Sequence, residues 1–171
     1  IPDGVVTIDV GVFSGCSSLQ SVTIPDGVVT IGSSVFSGCS SLQSITIPES
    51  VVIIEESVFV GCSSLTAIYS KYASSDNRCL IVDGELISFA RAGLTEYTIP
   101  FGVTSIGDSV FSGCSSLAHI TVSNSVTTIG DYAFYSNQLT SVTIPDSLTT
   151  IGEAAFSRNQ LTSVTIPDSL T

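Results

Sequence analysis

Glu96, His119 and Ser141 lie 23 and 22 residues apart and bring together the chemistry of an acid, a base and a nucleophile. His119 is the only histidine of the chain. If that spacing is the period of a repeat, the three stand on neighbouring strands about 4.8 Å apart. This exceeds the roughly 2.6–3.2 Å hydrogen-bond reach that catalysis requires, unless the side chains lean together. No segment offers an oxyanion hole, and an open sheet face does not exclude water. No enzyme activity is expected.

The cysteines raise the question of redox or metal chemistry. Cys16, Cys39, Cys62 and Cys114 all follow the pattern Phe-x-Gly-Cys, and Asn137 and Asn159 take the same place in later units. A position shared by Cys and Asn suits a small buried side chain that meets the backbone of a turn. Adjacent rungs lie within the roughly 4.4–6.8 Å that a disulfide needs, but in-register side chains point the same way and fit bridge geometry poorly. A spacing of 23 matches no zinc motif, so neither a metal nor any other cofactor is expected. Cys79 stands apart from the pattern.

A second ladder is acidic: Asp3, Asp26, Glu49, Asp146 and Asp168 each follow an Ile-Pro pair. Unit charges about 4.8 Å apart in water repel by just under 1 kcal/mol. Calcium would relieve that repulsion, yet one carboxylate per rung falls short of the six to eight oxygens the ion takes. The alternative is turn chemistry, with Asp beside Pro and Gly or Ser capping backbone amides.

The elements that must carry these residues follow from the repeat itself. Ile-Pro recurs at residues 1, 24, 47, 99, 144 and 166, with Val122-Ser123 in the equivalent place. Most units read L-x-x-V/I-x-I-P-x-x-V/L-x-x-I-G-x-x-V/A-F-x-x-C/N. In "LTSVTIP", Leu139, Val142 and Ile144 alternate with hydroxyls near the end, which is a strand pattern. Proline stops it, and Leu148 and Ile151 make a second extended stretch. The acid or Ser that opens the next segment (Ser33, Glu56, Asp108, Asp131, Glu153) and the Ala155-Phe156 pair predict one short helical turn. Such a unit cannot bury its own apolar side chains, so units must stack, with Phe13, Phe36, Phe59, Phe111, Phe134 and Phe156 as one internal ladder. The expected fold is an α/β solenoid of 22–23-residue units.

The string "FSGCSSLQSVTIPDGVVTIGSSVFSGCSSL" closely resembles the BspA-like class of leucine-rich repeats, found in bacterial surface proteins and some parasitic protists. The resemblance covers almost the whole chain. It implies a right-handed leucine-rich-repeat horseshoe, with a parallel β-sheet on the concave face and short helical turns on the other side. It further implies adhesion or protein binding, a host extracellular-matrix or other surface protein as partner, and a cell-surface or secreted location. Residues 1–171 are expected to form a single solenoid, a fragment of a longer chain because the first and last units are incomplete.

Composition narrows the alternatives. Of 171 residues 43% are apolar and only 11% charged, while 31 Ser and 18 Thr carry the solubility. The apolar content argues against disorder. A net charge of −11 argues against nucleic acid as partner, since phosphate is repelled. No apolar run approaches about 18 residues, so no membrane insertion by this segment is expected. The N-terminus has no basic-then-apolar pattern resembling a signal peptide.

Function is sought where the repeat departs from itself. One unit, residues 65–93, is 29 residues long and contains "CLIVDGELISFA", in which Asp83-Gly84 predicts a β-hairpin, here expected to project from the solenoid edge. It holds three of the chain's four cations, Lys71, Arg78 and Arg91, with Tyr69 and Tyr72 flanking Lys71. On the strand face, where Ser and Thr are the rule, the middle rungs carry Tyr69, Glu96 and His119, and Tyr97 replaces an inward Val or Ile. Tyr69, Lys71, Tyr72, Arg78, Arg91, Glu96 and His119 are therefore the candidate partner-binding residues, Tyr and Arg being enriched at binding hot spots. The competing reading is packing and edge protection of a bulky hairpin. Replacing residues 65–93 by a regular unit is expected to leave stability unchanged or higher. A spacer role and glycan recognition by the hydroxyl stripe remain the alternative functions.

Overall fold

The structure is a computed structural model that describes residues 1–166 and 168–169. Pro167, which belongs to the last Ile-Pro pair, lies outside the described residues. The chain forms two compact units, Ile1–Leu80 with Ile87–Ala92, and Ile81–Leu86 with Gly93–Thr171.

In the first unit the strands are β1 (Thr7–Ile8), β2 (Thr30–Ile31), β3 (Ser44–Thr46), β4 (Ile53–Ile54) and β5 (Ala67–Tyr69). Two parallel ladders run through it. One pairs Ile8 with Ile31 and Ile31 with Ile54, and the other pairs Ile45 with Ile68. Alternation does the sorting: Ile45 is buried between exposed Ser44 and Thr46. Between the ladders lies a core of Val28, Ile31, Phe36, Leu42, Ile45, Phe59, Leu65 and Ile68. Phe13, Phe36 and Phe59 stack with ring centroids 5.5 and 5.6 Å apart. Burying each such ring contributes about 1.5–3 kcal/mol, so the equivalent positions carry much of the stability.

The hairpin consists of β6 (Cys79–Val82) and β7 (Glu85–Phe89). Its turn has positive φ at both Asp83 (50°) and Gly84 (84°), as a two-residue type I′ connection demands. The hairpin does not project from an edge. Leu80 and Ala90 are fully buried in the core of the first unit. In the second unit, Glu85 and Leu86 pair in parallel with Ser105 and Ile106, so β7 supplies a rung of the wall. Leu86 fills the place of the ladder isoleucines and is itself fully buried, which draws the strand into the stack.

The remaining strands of the second unit are β8 (Glu96–Thr98), β9 (Ser105–Ile106), β10 (His119–Thr121), β11 (Thr128–Ile129), β12 (Ser141–Thr143) and β13 (Thr150–Ile151). One ladder has the order β8-β10-β12, and the other runs β7-β9-β11-β13. Phe111, Phe134 and Phe156 stack at 4.9 and 5.1 Å.

No helix forms among the described residues, so the expected helical turns are corrected. Two residues in each rung, two before and two after the Phe, adopt left-handed φ: Ser34 (58°) and Gly38 (74°) around Phe36, Ser109 (59°) and Gly113 (68°) around Phe111. A helix needs consecutive right-handed residues and i to i−4 bonds, which these positions interrupt. The amides go elsewhere. Ser34, Phe36 and Gly38 donate to Glu56, Val58 and Val60 one rung on, while Ser37 and Cys39 close tight turns onto Ser34 and Phe36.

Candidate functional site

The cysteines and asparagines of the ladder perform one task. Cys39 Sγ donates to the Phe13 carbonyl at 3.2 Å and Cys62 Sγ to that of Phe36 at 3.1 Å. Asn137 Nδ2 donates to the carbonyls of Phe111 and Phe134 at 2.9 and 3.1 Å. Asn159 does the same for Phe134 and Phe156. Burial, reinforced by the charge of Cys39, pushes the Cys62 thiol up to about 12, and burial likewise raises the Cys39 thiol. These thiols are protonated and inert at neutral pH. Cys39 and Cys62 thus meet the turn backbone, as their exchange with Asn implies.

Two of the acids that were expected to open a helical turn bind the next rung instead. Asp108 Oδ1 accepts the Asp131 N–H at 2.7 Å, and Asp131 Oδ1 accepts the Glu153 N–H at 2.7 Å. Glu55 accepts both the N–H and the hydroxyl of Ser33. In the Ile-Pro turns the residue after the acid is tied down: the hydroxyls of Ser50 and Ser147 each donate to a carbonyl one rung back, on Val28 and Val126. Among the described residues no group of three or more His, Cys, Asp or Glu converges as a metal site would.

In the second unit, Glu96, His119 and Ser141 are register neighbours on β8, β10 and β12. His119 Nδ1 and Ser141 Oγ lean together to 3.0 Å, so the strand spacing does not keep these two apart. Glu96, Tyr97, Thr98, His119 and Thr121 line a groove of about 370 Å³ whose walls are mostly polar. It is suited to hydrogen bonding with a ligand surface.

In the first unit, Tyr69 ends β5 with 47% of its surface exposed. Lys71 Nζ donates to the Glu49 carbonyl at 2.7 Å and stands 5.1 Å above the Tyr72 ring. Tyr69, Lys71, Asp26, Glu49 and Thr46 line one groove of about 470 Å³. Tyr72 is half-buried, packed against the core, with its hydroxyl toward the Val52 carbonyl. The two arginines turn inward. Arg78 donates to the carbonyls of Ala90 and Ala92 at 3.0 and 2.9 Å and clasps the far end of β7. Arg91 is only 8% exposed, its Nε without a hydrogen-bond partner. The candidate residues therefore fall in two places, Tyr69 with Lys71 on one unit and Glu96 with His119 on the other.

Two further departures from the repeat escaped the sequence reading. Phe101 is 91% exposed and occupies the turn position held elsewhere by Asp26 or Glu49. Tyr132, Tyr135 and Arg158 form a cluster on the turn side of the later rungs. The signal was available in both cases, because an aromatic or a cation stands where the other units place an acid, Ser or Gly.

A stack of parallel two- and three-residue strands, joined by tight turns and filled by one Phe per rung, defines a leucine-rich-repeat solenoid. The chain belongs to the BspA type leucine-rich repeat family, whose model matches six copies over residues 1–77 and 86–171. It is similar in structure to a leucine-rich cell surface protein of Faecalibacterium prausnitzii, with a TM-score of 0.88 and 31% identity over 100% of this chain. The chain spans 48% of that protein's length. A leucine-rich repeat protein of Eubacterium ventriosum (TM-score 0.58, 22% identity, 99% of this chain and 63% of that one) shares the fold. So does the pneumococcal vaccine antigen PcpA (TM-score 0.65, 20% identity, 96% of this chain and 46% of that one). No curated protein matches the sequence.

Proposed function

We propose that the chain is a non-enzymatic protein-binding module of a cell-surface or secreted protein, engaging an extracellular-matrix or other surface protein through its strand faces. The observation that carries this reading is the hydroxyl-lined sheet face interrupted by exposed Tyr69 in one unit and by Glu96 and His119 in the other. Such a face offers flat hydrogen-bonding area with a few anchors, the usual anatomy of a protein interface. Lys71 and Tyr72 hold one another beside Tyr69, Arg78 ties down the chain after β7 through the Ala90 and Ala92 carbonyls, and Arg91 is buried. The description of the F. prausnitzii relative as a cell surface protein supports the location. In this reading residues 1–171 act as a single repeat domain.

The test is binding of the purified chain to immobilised matrix proteins, with Tyr69→Thr and His119→Ser, which restore the consensus residues. Each is expected to weaken binding at least tenfold with an unchanged melting temperature. Full affinity in both variants would overturn the site. A spacer role is the second reading, favoured by the inward turn of Arg78 and Arg91. It predicts no binding by this segment alone.

A further inference from the structure

We propose that Tyr132, Tyr135 and Arg158 form a second contact surface, which takes a protein segment carrying a carboxylate beside an apolar side chain. The argument begins with backbone conformation. The position two residues after each ladder Phe has positive φ, and it is Gly at 15, 38, 61 and 113. Arg158 occupies it at 56°. The position two residues before the Phe is Ser at 34, 57 and 109, again with positive φ, and Tyr132 occupies it at 56°. Left-handed backbone is unfavourable for any residue with a Cβ, and a bulky residue there is an outlier.

Both strained residues end on the same ring. Tyr132 meets Tyr135 edge to face with centroids 5.6 Å apart, and the Arg158 guanidinium lies 5.4 Å over the Tyr135 ring. Tyr135 itself replaces the Ser found at 14, 37 and 112. Three departures from small residues thus converge on one patch, with Tyr132 and Arg158 exposed. Left-handed backbone recurs from rung to rung, at Ser136 and Ala154 too, so what sets this patch apart is that large side chains stand there and that two of them face solvent.

The charges give the partner's chemistry. Asp131 accepts the Glu153 N–H, and Glu153 Oε1 accepts the Tyr132 hydroxyl at 2.8 Å, so both nearby carboxylates are engaged by other donors. Arg158 lies against the ring and is itself exposed. An arginine held over a ring by its charge still offers its N–H fork to a carboxylate, which it can bind through two parallel hydrogen bonds. The Tyr132 and Tyr135 rings supply the apolar area beside it.

This surface rests on the reading of the chain as a protein-binding module but uses other residues, so the two fail separately. The whole chain, labelled with 15N, is titrated with a glutamate–tyrosine copolymer, a lysine–tyrosine copolymer and hyaluronate. The expected result is saturable shifts at the Arg158 Nε–H and at amides 132–136 with the glutamate copolymer alone. Arg158→Gly and Tyr135→Ser should weaken that binding at least tenfold. Arg158→Lys should weaken it as well, because an ammonium lacks the fork. The melting temperature of Arg158→Gly should hold or rise by about 2–4 °C as the strain is relieved. No shifts, or equal shifts with the lysine copolymer, would overturn the proposal. Equal response to hyaluronate would make it an acidic-glycan site instead. A lower melting temperature with binding intact would reduce the cluster to internal packing.

Discussion

Asn137 stands to Phe111 as Cys62 stands to Phe36: each side chain donates to the main-chain carbonyl of the Phe one rung back, Nδ2 at 2.9 Å and Sγ at 3.1 Å. The two differ in what they leave over. Asn137 Oδ1 is buried without a partner, whereas the thiol adds no second polar atom. Cys62→Ala should cost about 0.5–1.5 kcal/mol, because the Phe36 carbonyl loses one of its two donors and keeps the Cys39 N–H. Cys62→Asn restores the donor, adds the orphan oxygen, and should fall between the alanine variant and the parent in urea denaturation.

The same thiols set an alkaline limit. Burial raises Cys39, and burial with the Cys39 charge raises Cys62 to about 12 from 9.0. Tyr132 is raised too, first by its hydrogen bond to Glu153. A raised acid keeps its proton in the folded chain while the unfolded chain loses it, so stability is full below pH 9 and falls as pH climbs toward 12. Urea midpoints at pH 8 and pH 10.5 should show the fall, and Cys62→Asn should flatten it. A slope unchanged in that variant would place the effect on other groups.

The hairpin belongs to the wall, and its apolar anchor should behave like any core residue. Leu86→Ala is expected to cost about 2–5 kcal/mol, because Leu86 is fully buried and pairs with Ile106. Arg78→Ala removes two charge-assisted bonds, to the carbonyls of Ala90 and Ala92, and should loosen the end of β7. Faster amide exchange at Ala90 and Ala92 would check this. Indifference to Leu86→Ala would restore the picture of a dispensable projection.

Phe101 touches little and should be separable from stability. Phe101→Asp restores the acid of the other turns and should shift stability by no more than about 0.5 kcal/mol. Gly102, at φ 95° with its N–H on the Ser125 hydroxyl, keeps the turn in place. A loss of several kcal/mol in thermal unfolding would show that the ring packs against something.

The rungs were legible in the sequence because Ile-Pro and Phe-x-Gly-Cys repeat with little variation, and the hairpin because Asp83-Gly84 can do little else. The helical turn was misread from Ala155-Phe156 and the preceding acid. The deciding information was conformational: Gly38, Gly61 and Gly113 hold a left-handed position, and Ser34, Ser57 and Ser109 hold another that composition does not announce. The place of β7 was hidden by spacing, since Leu86 precedes Ile106 by 20 residues where the regular rungs keep 22 or 23. At the candidate site, the residue types at Glu96 and His119 were plain. That Arg78 and Arg91 face inward was not, because an arginine in a loop reads the same whether it meets solvent or carbonyls.

The direction in which the rungs donate has a consequence for how long such a stack can grow. Around each Phe the amides point forward, Phe36 to Val58 and Phe134 to Ala155, whereas along the Thr-Ile ladder they point back, Val52 to Val29 and Gly130 to Ile106. Each peptide is a dipole of about 3.5 D, and in an α-helix these add along the axis. Here the two columns oppose one another. In these two columns the peptide dipoles offset one another instead of summing, so another repeat does not build up their polarity as another turn does in a helix. What accumulates with each repeat is side-chain charge, since most Ile-Pro turns bring one more carboxylate, so net charge and not backbone polarity accompanies length.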